Sequence, residues 1–183
     1  MANLFFDTEF TGLHKDTTLI SIGIVDEDNN TFYAEFTDYN KSQVNDWIKT
    51  NVISKLQYGG KYTYGKCDRN ISMSGNKTDV NIALFDWLSK YDEIQFVSDV
   101  CHYDFVLLID LISNGGTAFD IPNTISPACH DINQDIANYY NIKEWEAFNI
   151  NRERIASIYD ENAKHNALWD AKIIKAIYER ITN

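Results

Sequence analysis

The chain has 183 residues, 44% hydrophobic and 14% aromatic, with a formal net charge of −11 from 16 basic and 27 acidic side chains. That length suits one domain, 1–183, around one core, and the composition excludes a disordered chain. No apolar run approaches the roughly 18 residues of a membrane span, the first residues lack the basic and apolar regions of a signal peptide, and Cys67, Cys101 and Cys129 have no metal-ligand spacing, so the sequence predicts reduced thiols in a cytoplasmic protein with no membrane partner.

Leu4-Phe5-Phe6 leads as a strand into Asp7. Leu19 to Val25 is rich in β-branched residues, Asp26 to Asn30 supplies a turn, and Thr31 to Phe36 alternates as a partly exposed strand should. An antiparallel meander is expected there. Ser42 to Leu56 reads as a helix with Val44, Trp47, Ile48, Val52 and Leu56 near one face, and Tyr58 to Gly65 as a hairpin or irregular loop. Thr78 is placed to cap a helix running to about Lys90, with Ile82, Phe85 and Leu88 or Trp87 inward. Ile94 to Val97 reads as a short buried strand, and His102 to Ile112 as a helix ended by Asn114-Gly115-Gly116. Pro122 and Pro127 bracket a loop; Asp131 to Tyr140 and Glu144 to Ile155 read as short helices, and Ala167 to Ile181 as the clearest helix. Strands first and helices later, with one strand interleaved, predict a mixed-sheet α/β fold.

Four carboxylates sit where the pattern calls for apolar side chains. Asp7 and Glu9 end the first strand two apart, so they share a face. Asp104 shares a helix face with Leu107, Leu108 and Leu111, and Asp170 shares one with Ile173, Ile174, Ile177 and Ile181. A carboxylate on a core-facing stripe is costly unless it is paired or binds a metal. Taken singly, Asp104 or Asp170 reads as well as a helix cap. Taken together, four such groups in one pocket would repel, and hard divalent cations, Mg²⁺ or Mn²⁺, would resolve the repulsion. Two such cations about 3.5–4 Å apart can clamp the attacking and leaving oxygens of a phosphodiester. The acidic balance alone argues against nucleic-acid binding, but cations in an acidic pocket invert its local field.

Phe5-Phe6-Asp7-Thr8-Glu9-Phe10-Thr11-Gly12-Leu13 resembles the first motif of the DEDDh 3′→5′ exonuclease superfamily. Tyr103-Asp104-Phe105-Val106-Leu107-Leu108 resembles the second, and His165-Asn166-Ala167-Leu168-Trp169-Asp170-Ala171 the third, in which histidine precedes the last aspartate by five. Within the superfamily the nearest resemblance is to the ribonuclease AS group of exoribonucleases, through Asp7-Thr8-Glu9-Phe10, Ile20-Ser21-Ile22-Gly23-Ile24-Val25 and the Trp47…Val52…Lys55-Leu56 helix. One departure stands out: where many members carry His-Asn before the second-motif aspartate, this chain has Asp99-Val100. Asp99 is read mainly as the cap of the helix that follows, and alternatively as added charge near the metals.

The resemblance implies a ribonuclease H-like mixed five-stranded sheet flanked by helices. It implies that Asp7 bridges two divalent cations, that Glu9, Asp104 and Asp170 complete the ligand set, and that His165 is the general base, its pKa raised somewhat by acidic neighbours. Phe10, Thr11, Gly12 and Leu13 would hold the terminal nucleotides. The partner would be single-stranded nucleic acid, RNA ahead of DNA, and a homodimer is compatible with the family. The Lys55 to Lys77 segment, with Tyr58, Tyr62 and Tyr64, reads equally as a phosphate track with stacking platforms and as a solvated hairpin. His102 reads as an ordinary residue of a helix N-terminus. The rival readings are a DNA exonuclease, an inactive binding module of the same fold, and an acidic interaction protein.

Overall fold

Alternation of apolar residues through the first third of the chain produces three strands: β1 (Ala2–Phe10), β2 (Leu19–Asp26) and β3 (Thr31–Phe36), paired as the expected antiparallel meander. The computed structural model describes residues 1–182, and residue 183 of the expected domain lies outside the described residues. Two further strands, β4 (Thr63–Cys67) and β5 (Asn70–Gly75), form a hairpin that joins β3 through a parallel β5. On the other side β6 (Ile94–Ser98) runs parallel to β1, and the two-residue β7 (His130–Asp131) follows it. The sheet order is therefore β4-β5-β3-β2-β1-β6-β7, with seven strands where five were expected. The additions have a physical cause. In β5, Ile71 and Met73 point into the core and extend the buried face beyond β3, a contribution that a two-residue apolar alternation barely advertises.

The faces of β1 are divided by parity, as side chains in a strand must be. Leu4 and Phe6 pack with α2 (Lys77–Leu88) and α3 (Cys101–Ile112). Phe5 packs on the opposite face with α4 (Ile132–Tyr140) and α7 (Ala167–Thr182). The helix α7 lies directly on the meander: a Cβ added at Gly23 would sit 2.3 Å from the Leu168 backbone and 2.4 Å from that of Ala167.

Several helices differ from expectation. Ser42 to Leu56 is broken into a 3₁₀ turn at Lys41–Gln43, α1 (Asp46–Asn51) and a second 3₁₀ turn at Ile53–Lys55. Ile48 and Val52 fill a small cluster with Ile20, while Trp47 is left 55% exposed rather than inward. α2 is capped by Asn76, whose Oδ1 accepts from Asp79 N at 3.0 Å, not by Thr78. Its buried stripe is Val80, Ala83, Leu84, Trp87 and Leu88, so Ile82 and Phe85 face outward; the two candidate stripes compete, and the one carrying Trp87 buries more apolar surface. Glu144 to Ile155 is two short helices, α5 (Glu144–Phe148) and α6 (Arg152–Ala156).

Candidate active site

β1 and β6 run parallel, so their carboxyl ends lie side by side, and the sheet reverses its connection sense there. Such a switch point leaves a crevice. Here it is a cleft of about 890 Å³. Its floor carries Asp7 and Glu9 from β1, Asp104 from the first turn of α3 and Asp170 from the first turn of α7. Both helices present their amino ends, where the backbone dipole favours negative charge. Ligand atoms of Asp7, Asp99 and Asp104 lie within 4.8 Å of one another, and so do those of Glu9, His165 and Asp170.

Each group is held by local chemistry. Asp104 is 1% exposed. It accepts from Thr8 Oγ1 at 2.6 Å through Oδ1 and from Ser98 Oγ at 2.5 Å through Oδ2. The backbone N–H of His165 donates to Asp170 Oδ2 at 3.0 Å, which ties the histidine to the last carboxylate across the start of α7. His165 reaches that position with φ +63°, a left-handed conformation that few non-glycine residues adopt. Its Nδ1 lies 4.0 Å from Glu9 Oε1, and its ring meets the Trp47 indole edge-on at a centroid distance of 5.2 Å.

The electrostatics are lopsided. Burial pushes Asp7 and Glu9 well above the ordinary carboxylate range, and the charges of their acidic neighbours push them further. Asp104 is raised to about 7 by burial, which outweighs its two hydroxyl hydrogen bonds. Asp170 is also raised to about 7, by burial first and then by Asp99, against the His165 N–H bond. Among the described residues no lysine or arginine lies within ion-pair distance of Asp7, Glu9, Asp104 or Asp170. A set of clustered carboxylates with no lysine or arginine paired to them matches a hard divalent cation. His165 goes the opposite way from expectation: burial, then Lys164 and Lys55, lower its pKa, so the ring is neutral near pH 7.

The nucleotide-holding candidates divide. Phe10, Gly12 and Leu13 line the cleft, with Phe10 stacked on Tyr103 at 5.4 Å and Leu13 74% exposed. Gly12, at φ +148°, brings backbone to the surface of the cleft. Thr11 does not line it: its side chain is buried, donating to Gln43 Oε1 at 2.6 Å and lying 3.2 Å from the hydroxyls of Thr17 and Thr18. Asp99 is not the cap of α3. That position is Val100, which makes no side-chain cap bond, and Asp99 instead accepts from Arg152 Nε at 2.9 Å.

Within the Lys55 to Lys77 segment Lys66 is paired with Asp86 and Lys77 with Asp110, Tyr62 and Tyr64 are exposed, and the charge of Lys55 reaches His165. Sequence reasoning did not assign Trp47, Phe148, Arg152 or Lys164 to the site, although all four line the cleft. Lys164 is carried in by its chain neighbour His165, whereas Trp47, Phe148 and Arg152 arrive by long-range packing.

No known family profile matches the chain. Two curated 3′-5′ exoribonucleases of Mycobacterium tuberculosis, from two strains, are each 30% identical to it over 95 residues. That stretch covers 49% of this chain and 56% of each relative, so the chain matches only about half the length of those proteins. A 3′-exonuclease that recognises the 3′ end of a histone mRNA stem-loop has a similar structure, with a TM-score of 0.67 and 13% identity over 98% of this chain and 62% of that one. A full-length 3′-exonuclease superposes with a TM-score of 0.61 and 13% identity over 99% of this chain and 81% of that one. The fold is thus that of the 3′-exonucleases, a mixed sheet with helices on both faces. No helix among the described residues is long and apolar enough to cross a membrane.

Proposed function

We propose that this protein is a DEDDh 3′→5′ exoribonuclease of the ribonuclease AS type, hydrolysing single-stranded RNA from its 3′ end to nucleoside 5′-monophosphates. The observation that carries the reading is the convergence of four carboxylates, none paired with a lysine or arginine, beside the His165 imidazole at the floor of an open cleft. Asp7, Glu9, Asp104 and Asp170 would hold two divalent cations, Mg²⁺ or Mn²⁺. Cations bound there acidify a water nucleophile and neutralise charge developing on the phosphodiester.

The protein's own groups do the rest. His165 accepts the proton of the attacking water, a task its lowered pKa suits because the free base is already the dominant form at neutral pH. The Trp47 indole packs against the ring, and the hydrogen bond from the His165 backbone N–H to Asp170 holds the main chain that carries it. Water adds to the terminal phosphorus, the bond to the 3′ oxygen breaks, and the shortened chain keeps that oxygen as its new 3′ hydroxyl. Phe10 and Leu13 pack against the terminal bases, and the backbone at Gly12 allows close approach of the sugar. Lys164 and Lys55 supply positive charge near the entering phosphate.

RNA is favoured over DNA because the curated relatives are exoribonucleases. The free cysteines suit a cytoplasmic site of action, and the family resemblance is compatible with a homodimer of 1–183 single-domain chains. The test is product analysis on a 5′-labelled RNA and its DNA equivalent with Mg²⁺ or Mn²⁺. A ladder shortening from the 3′ end, faster on RNA, with free nucleoside 5′-monophosphates, is expected. Internal cleavage, or no cleavage with either cation, would overturn the reading.

A further inference from the structure

Asp99 has no counterpart in the motif pattern that led to the four carboxylates, yet its surroundings are more elaborately built than theirs. Arg152 holds its Oδ2 through Nε at 2.9 Å. The same guanidinium donates through Nη1 to Ala147 O at 2.8 Å and through Nη2 to Asn133 Oδ1 at 2.5 Å. Asn133, 4% exposed, turns its own Nδ2 to Asp99 O and Asp131 Oδ1, both at 2.7 Å. Arginine and aspartate side chains are 16% and 17% exposed, so the pair is largely withdrawn from water. Arg152 is therefore anchored at three points, and the loop after β6 at a fourth.

The result is one carboxylate with a fixed direction. Its Oδ2 is taken by Arg152, and no hydrogen bond to Oδ1 is present among the described residues. A carboxylate oxygen of Asp99 lies within 4.8 Å of ligand atoms of both Asp7 and Asp104. A planar guanidinium that fixes one oxygen of a carboxylate lying beside an acidic cluster is how outer groups orient metal-binding carboxylates. Neutralising Arg152 alone would need no such placement beside Asp7 and the buried Asp104.

We infer that Asp99 is a fifth carboxylate of the cation site, supplying an oxygen to the divalent ion held between Asp7 and Asp104, with Arg152 as its positioning residue. This rests on the two-cation reading above. It separates the cations: the Asp7–Asp99–Asp104 ion gains an extra anionic oxygen, and the Glu9–Asp170 ion does not.

The test is calorimetric titration of the nuclease-competent full chain with Mn²⁺, without substrate, for the wild type, Asp99→Asn and Arg152→Lys. Asp99→Asn keeps the acceptor for Arg152 and the side-chain size, and its metal-free melting curve checks the fold. Loss of at least about tenfold in affinity for one Mn²⁺, with the other unchanged, is the expected result. Arg152→Lys should weaken the same ion less, because the carboxylate remains but loses its fixed direction. Equal weakening of both ions by Asp99→Asn would make Asp99 a distant charge only and overturn the inference. Unchanged binding of both would leave Asp99 as a partner for Arg152 and nothing more. A wild type that binds no Mn²⁺ would overturn the two-cation reading itself, and this inference with it.

Discussion

The seating of α7 on β2 at Gly23 is what brings His165 and Asp170 to Asp7, and it can be broken with one methyl group. Gly23 pairs with Asp7 in the antiparallel register, so both residues face α7. A Cβ at Gly23 would lie 2.3 Å from Leu168 N and Cα, where ordinary contact begins near 3.4 Å. The obstructing atoms are backbone in the first turn of a helix, so the strain cannot be relieved by a rotamer change. The helix must retreat by about 1 Å, an overpacking cost of about 1–3 kcal/mol. The same retreat carries His165 and Asp170 away from Asp7 and Glu9, and a misplacement of that size costs about 10²-fold in rate. Gly23→Ala should therefore lower denaturant stability by that amount and RNA turnover by about two orders of magnitude. Gly65→Ala is the control: its added Cβ would meet only Ser72 O at 3.5 Å, so both properties should stay near wild type. If Gly23→Ala unfolds within about 0.5 kcal/mol of wild type and turns over RNA within about twofold, α7 does not rest on β2 as described.

Three further outcomes follow from the charge balance of the cleft. Asp7→Asn should abolish turnover yet raise the metal-free melting temperature by about 2–4 °C for each kcal/mol of repulsion relieved, measured by thermal melting with and without Mn²⁺; a lowered metal-free value would mean the carboxylate is paired rather than repelled. Asp104 and Asp170 each titrate at about 7 in the folded chain, against about 4 when unfolded, so the folded chain holds more protons between those values. Metal-free stability should then fall by up to a few kcal/mol as pH rises from about 4 to 7 and level off above, while saturating Mn²⁺ removes the slope; urea melts at several pH values would show a flat metal-free profile if burial of these acids is misjudged. His165→Ala should keep the Mn²⁺-induced rise in melting temperature while turnover drops about 10²–10⁴-fold. Loss of the Mn²⁺ effect in that variant would instead make His165 a metal ligand alongside Glu9 and Asp170, whose ligand atoms lie within 4.8 Å of it.

What the sequence determined by itself was whatever repeats on a short period. Alternation placed Asp7 and Glu9 on one face of β1, and spacings of three and four placed Asp104 and Asp170 on helix faces that turn inward. The meander, the buried strand β6 and the terminal helix were legible for the same reason, whereas the parallel pairing of β6 with β1 was not. The short-period signal misled where two stripes compete, as in α2, or where a helix breaks and frees Trp47 to meet His165.

Only the tertiary structure decided the rest, because the deciding contacts join residues far apart in the chain. Asp104 is held by Thr8, 96 positions away, and Asp99 by Arg152, 53 positions away. The pKa of His165 is lowered rather than raised because burial and two lysines, one of them Lys55 from a distant 3₁₀ turn, all disfavour its charged form. Thr11 was in the right motif, but its hydroxyl is spent on Gln43 and two threonines. Local periodicity fixes which way a side chain points from its own strand or helix. Which groups it then meets depends on how those elements pack, and that sets both the direction of the His165 pKa shift and which carboxylates share the floor of the cleft.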